Sequence, residues 1–238
     1  MRSKRARLDR FLSGQLNISR KDVRLLLAQG RVQLDQQVAT SIQQPVDEYT
    51  HVQFDDQVLQ ANSPSYIQLH KPQGVVSATK DEKHKTVIDL LPSGCADNLH
   101  IVGRLDFNST GLLLLTNDGR WSRRLNSPEQ PIKKRYRVTL DKPISQALIT
   151  AFAQGIYFAY ENVITKPATL NSLTSHSAEV ILVEGRYHQI KRMFGHFNIT
   201  VLSLHRDSVG SLMLDEDLLP GQSRDLSMQE VQGIFNPT

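Results

Sequence analysis

The spacing of apolar residues changes along this chain, and each change marks an element. Near the start, Leu8, Phe11 and Leu12 recur at the interval of a helix face. Ser19 followed three residues later by Asp22 reads as a capping-box start for a second helix carrying Val23, Leu26 and Leu27, which Gly30 ends. Val32 and Leu34 then alternate with Arg31, Gln33 and Asp35, as in a half-buried strand. Leu112 to Leu115 have neither period and stand between Gly111 and Asn117-Asp118-Gly119, which predicts a short strand buried on both faces. Arg135 to Leu140 alternates, so Tyr136, Val138 and Leu140 share one face and Arg135 and Arg137 the other. After the apolar strand Val180 to Val183, residues Ile190, Met193, Phe194 and Phe197 fall at i, i+3, i+4 and i+7, a helix packed on a core with Lys191 in its first turn. Short strands mixed with helices predict an α+β fold.

Polar Gln60-Ala61-Asn62-Ser63-Pro64-Ser65 has the composition of a linker. It divides the chain into a small domain over 1–60, a linker over 61–65 and a larger domain over 66–238. Charge follows the same division. Through Arg31 there are nine cations, Arg2, Lys4, Arg5, Arg7, Arg10, Arg20, Lys21, Arg24 and Arg31, against Asp9 and Asp22, whereas the whole chain is only +4. A basic block on a slightly acidic body fits a polyanion-binding module, since Lys and Arg displace counterions from phosphates; a solvated basic face is the plainer alternative.

With 238 residues, 39% of them hydrophobic, the chain can build one large or two modest cores. No apolar run reaches membrane-spanning length and no hydrophobic stretch follows the basic start, so neither a membrane span nor a signal peptide is expected, and the expected location is the cytoplasm. Cys95 has no second thiol, and His188, His196 and His205 lack tight ligand spacing, so no metal site is expected. Phosphate-cradling Gly-rich loops are missing as well.

Candidate chemistry centres on Asp106, set in a polar turn before the leucine strand. A carboxylate at the mouth of a rigid strand suits nucleophilic or general-base work; an Asp that caps its own turn is the structural alternative. Tyr136, facing inward, is either a core residue or a functional ring, and Lys191 either a solvated lysine or a charge partner. Trp121, beside Arg120, Arg123 and Arg124, reads as a core residue before an RNA-stacking one.

Three segments taken in order resemble one family. Gly103-Arg104-Leu105-Asp106 with Thr110-Gly111-Leu112-Leu113, then Lys134-Arg135-Tyr136, then Gly185-Arg186-Tyr187-His188-Gln189-Ile190-Lys191-Arg192-Met193 are similar to the motifs of the pseudouridine synthases that modify ribosomal RNA. His70-Lys71-Pro72-Gln73-Gly74 resembles a further segment, with His70 where relatives commonly have asparagine, and is taken as structural. From Arg7 to about Arg224 the chain resembles the RsuA type, supported by Thr165-Lys166-Pro167-Ala168 and Leu204-His205-Arg206. Arg7-Leu8-Asp9, Ser19-Arg20 and Gly30-Arg31-Val32 resemble the S-four-like RNA-binding domain.

The resemblance implies a catalytic core on a mostly antiparallel sheet with flanking helices. It implies Asp106 as nucleophile, Tyr136 as the ring stacked on the target uracil and a remover of its carbon-5 proton, and Lys191 as the cation that favours the charged carboxylate. Arg7, Arg10, Ser19, Arg20, Arg24, Arg31, Arg104 and Arg186 become RNA contacts. The implied partner is 16S ribosomal RNA, at one uridine of the helix 18 region, naked or in a partly assembled small subunit. Isomerising uridine changes no redox state, so no cofactor is expected, and the enzyme is expected to be a monomer. A sibling activity on 23S ribosomal RNA and an inert RNA-binding assembly factor are the competing readings.

Overall fold

The computed structural model describes residues 6–95 and 98–236, so Arg2, Lys4 and Arg5 of the basic block lie outside the described residues. The chain forms two compact units, Met1–Pro64 and Ser65–Thr238.

The first unit runs β1 (Ala6–Arg7), α1 (Leu8–Leu16), α2 (Arg20–Ala28), β2 (Val32–Leu34), β3 (Gln37–Val38), β4 (Pro45–Val46), β5 (Val52–Phe54) and β6 (Gln57–Gln60). Ser19 caps α2: its hydroxyl accepts from the Asp22 N–H while the Asp22 carboxylate accepts from the Ser19 N–H, the reciprocal pair the sequence predicts. β2 sits inside a four-stranded sheet ordered β3-β2-β5-β6, and β1 pairs with β4. Leu8, Leu12, Val23, Val32 and Leu34 meet in the core of this unit.

The second unit runs β7 (Tyr66–Lys71), β8 (His100–Val102), β9 (Thr110–Thr116), α3 (Gly119–Leu125), β10 (Lys134–Leu140), α4 (Gln146–Gln154), β11 (Tyr157–Phe158), β12 (Val163–Ile164), β13 (Thr169–Thr174), β14 (Ser177–Leu182), α5 (Gln189–Gly195), β15 (Val201–Val209), β16 (Leu212–Met213), β17 (Ser223–Asp225) and α6 (Met228–Gly233). Its main sheet is ordered β13-β14-β10-β15-β9-β7-β17, with β16 on β15 and β8 on β9. Every pairing in it is antiparallel except β15 with β9. The fold is α+β on a mostly antiparallel sheet, as expected.

The leucine run is explained by what covers the sheet. Leu113 and Leu115 of β9 join one core with Val138 of β10, Phe152 of α4, and Met193 and Phe194 of α5. Leu112 and Leu114 join the opposite core with Trp121 and Leu125 of α3 and Val231 of α6. Each fully buried leucine contributes about 1.5–3 kcal/mol, so the strand is held from both sides. Trp121 is a core residue whose indole N–H donates to the Val231 carbonyl at 3.0 Å. Helix α5 stops at Gly195, so Phe197 packs from the turn after the helix instead of from its fourth face position. No helix among the described residues is long and apolar enough to cross a membrane.

Candidate active site

Asp106 lies in the turn between β8 and β9, whose backbone is fixed almost residue by residue. The Ser109 N–H donates to the Asp106 carbonyl at 3.0 Å. Ser77 brackets Leu105: its hydroxyl donates to the Leu105 carbonyl at 2.7 Å and accepts from the Leu105 N–H at 3.1 Å. Lys71, fully buried at the end of β7, donates to the carbonyls of Pro72 (3.0 Å), Phe107 (3.3 Å) and Ser109 (2.8 Å). Burial pulls its pKa down to about 8, and the nearby Asp106 charge opposes that shift.

Arg206 of β15 closes the other side. Its Nη2 donates to the Gly103 carbonyl at 2.7 Å and its Nε to the Leu112 carbonyl at 2.8 Å, so one guanidinium ties down both ends of the Asp106 turn. This grip needs the close β9–β15 approach at the Arg206–Gly111 pair. A Cβ on Gly111, which has φ +107°, would collide with the Arg206 backbone.

The carboxylate of Asp106 faces α5 instead of capping its own turn. Lys191 Nζ stands 3.1 Å from Oδ2 and His188 Nε2 3.3 Å from Oδ1. His188, directly before α5, adopts the left-handed conformation at φ +49°. Asp106 stays 26% exposed, so the ion pair is reachable from the cleft.

Tyr136 on β10 walls the same cleft, 7% exposed, and its hydroxyl accepts from Arg206 Nη1 at 3.4 Å. Lys134 lies two residues earlier, its pKa pulled to about 8 by burial and then by the Arg206 charge. The cleft, about 90 Å³, is also lined by Arg104, Ser109, Leu182 and Leu204. Ser109 is fully buried, and its hydroxyl has no hydrogen-bond partner among the described residues.

Of the residues singled out from sequence, Asp106, Tyr136, Lys191, Arg104 and Arg186 line this one cleft. Arg186 is also bound to carboxylates, with Glu161 at 3.0 Å and Glu184 at 3.3 Å. Sequence reasoning missed Lys71, His188, Ser109 and Arg206 as parts of the site. In the sequence His188 stands out only as a member of the third motif and as a poor metal ligand, and Arg206 only within Leu204-His205-Arg206.

In the first unit, Arg10 on α1 and Arg24 on α2 are exposed. Arg7 at 2.9 Å and Arg20 at 4.0 Å share the buried carboxylate of Asp9. Arg31 pairs with Asp55 and lies 4.9 Å over the Phe54 ring. The Ser19 hydroxyl is occupied by its capping partners.

A cleft that offers a carboxylate, an adjacent cation and an aromatic wall can attack and stack on a planar base. Comparison with known proteins gives that chemistry a family. The family model of RNA pseudouridylate synthases matches residues 65–196. The chain is 48% identical over 229 residues to the ribosomal small subunit pseudouridine synthase A of Pseudomonas aeruginosa, covering 96% of this chain and 100% of that protein. It is 38% identical to the protein of the same name from Escherichia coli, over 96% of this chain and 99% of that one. A crystal structure of a pseudouridylate synthase superposes with a TM-score of 0.70 at 34% identity, covering 96% of this chain and 99% of that chain. The chain belongs to the RNA pseudouridylate synthase family.

Proposed function

We propose that this enzyme converts one uridine of 16S ribosomal RNA, in the helix 18 region, to pseudouridine without a cofactor. The observation that carries the chemistry is the Asp106–Lys191 pair beside Tyr136 in a single cleft. The small-subunit substrate is supported by relatives named for it that match nearly the whole chain.

In the reaction the bond from ribose C1′ to uracil N1 breaks and one from C1′ to C5 forms. C5 gives up its proton and N1 gains one, so the product is an isomer and nothing is oxidised or reduced. Asp106 acts as the nucleophile, at C1′ or at C6 of the ring, or takes a ribose proton on a glycal route. Lys191 favours the charged carboxylate by its proximity. The target is buried in a stacked strand, so it is flipped into the cleft, where the Tyr136 ring replaces the lost stacking and its hydroxyl receives the C5 proton. Arg104 and Arg186 serve as RNA contacts from the cleft wall. Lys71 and Arg206 work on the backbone: they hold the nucleophile's turn so that the carboxylate needs little reorganisation to react.

The first unit, an S-four-like RNA-binding domain in this reading, supplies affinity away from the chemistry through Arg7, Arg10, Ser19, Arg20, Arg24 and Arg31. Exposed Arg10 and Arg24 support this best, because among the described residues no side-chain ion pair competes for them in the way Asp55 competes for Arg31.

Mapping pseudouridine in the ribosomal RNA of cells with and without the gene tests the reading. Loss of one 16S site is expected; loss confined to 23S would move the substrate to the large subunit, and loss of none would remove the activity.

A further inference from the structure

Four aromatic side chains stand among the exposed large apolar residues of the described chain: Phe107, Tyr157, Tyr160 and Tyr187. All four lie on segments that border Asp106 or the groove beside it. Phe107 follows Asp106, Tyr187 precedes His188 and stacks on its ring at 3.9 Å, Tyr157 is on β11, and Tyr160 is in the turn leading to β12. Of these, Tyr157 lines the groove itself and is 52% exposed, and apolar surface left in water favours an occupant.

The groove itself measures about 530 Å³ and is open to solvent along its length. Tyr157 and Phe158 of β11 line it together with His188, Lys191, Gly195 and His196 of the α5 segment. A Cβ on Gly195 would touch nothing, so the space there is free. The Tyr157 ring is positioned in advance, since its hydroxyl donates to Asn162 Oδ1 at 2.9 Å. The acid at this edge, Glu161, is matched by Arg186 and Arg192, which leaves the rim without an unpaired negative charge to repel a phosphate.

His188 and Lys191 line both this groove and the catalytic cleft, so the two lie side by side. We propose that the groove binds the nucleotide adjacent in the RNA strand to the reacting uridine, with its base stacked on Tyr157 and its phosphate toward His188, Lys191 and His196. The proposal rests on the isomerase reading above and names a subsite of that same active site. Its logic follows from base flipping. Extruding the uridine strips one stacking face from its neighbour, and an aromatic ring one nucleotide away from the cleft restores it. Flat rings beside cations are the combination that takes single-stranded nucleic acid without reading its sequence.

The test uses the full-length protein and a synthetic RNA hairpin containing the mapped uridine, in three forms: intact, abasic at the 5′ neighbour, and abasic at the 3′ neighbour. Dissociation constants are measured for wild type, Tyr157→Ala and Tyr157→Phe, with circular dichroism melts to check folding. On intact RNA, Tyr157→Ala is expected to weaken binding about tenfold, whereas Tyr157→Phe, which keeps the ring, binds like wild type. On one of the abasic RNAs wild type and Tyr157→Ala bind equally, and that RNA identifies the side. An undiminished Tyr157→Ala defect on both abasic RNAs, or no defect on intact RNA, overturns the subsite. Turnover of the intact hairpin is scored separately: turnover without coupling removes the subsite alone, and coupling without turnover removes the isomerase reading and leaves the groove as a nucleotide-binding site only.

Discussion

Arg206 reaches the Tyr136 hydroxyl at 3.4 Å from inside the protein, with the same guanidinium that holds the carbonyls of Gly103 and Leu112. Truncating it to Arg206→Met removes a donor from the buried Leu112 carbonyl and one from the part-buried Gly103 carbonyl, a loss of about 1–3 kcal/mol where a buried group is left unsatisfied. Urea unfolding is expected to show a loss of roughly 2–4 kcal/mol, with turnover falling further than the unfolded fraction explains. Wild-type stability in the variant would mean that water replaces the guanidinium and that the turn does not depend on it.

Lys191 is expected to act by charge. Lys191→Met should lower kcat about 10²-fold, the scale of removing one positioned electrostatic partner, and should weaken RNA binding by far less than that, through its share of the phosphate contact. Lys191→Arg, which keeps the cation, should recover most of the loss. Equal kcat in all three proteins contradicts the pairing with Asp106.

Tyr136→Phe separates ring from hydroxyl. The ring still stacks, so RNA binding is retained, while losing the proton acceptor lowers turnover about 10²–10⁴-fold. Tyr136→Leu removes both and is expected to lose affinity as well. Unchanged turnover in Tyr136→Phe would reduce the tyrosine to a stacking platform.

Lys71 gives a pH signature. Its pKa in the folded protein, about 8, is below the ordinary 10.5, so burial disfavours its charged form. The cost to folding is fully present below pH 8. Between pH 8 and 10.5 the unfolded chain carries more protons than the native one, so this group's contribution to stability rises with pH. Wild type should therefore gain stability relative to Lys71→Met across that window in urea unfolding. A flat difference would show that the ammonium is not desolvated.

Much of this was legible from spacing alone. The leucine run of β9 is apolar without a period because both faces are covered, and the alternation of β10 put Tyr136 inward before any coordinates did. The Ser19–Asp22 pair likewise announced its helix. The residues that fix the nucleophile were not legible, for a physical reason. Lys71 stands in a segment taken as structural and Arg206 in one that only supports the resemblance, and the long-range carbonyl contacts that give both their role, such as Arg206 to Gly103, have no local signature. The contact of His188 with Asp106 is equally hidden, since the residue reaches the carboxylate from a left-handed backbone just before α5. Ion pairs such as Arg31–Asp55 equally depend on strands meeting in space, and no local pattern in the sequence encodes them.

The most direct measurement is tritium release from 16S ribosomal RNA labelled at uracil carbon 5, compared between wild type and Asp106→Asn. The swap is nearly isosteric and removes the charge that Lys191 faces. With folding and RNA affinity kept, wild type should release tritium and the variant should fall to background. Tritium release by Asp106→Asn at the wild-type rate would contradict the nucleophile and the mechanism built on it.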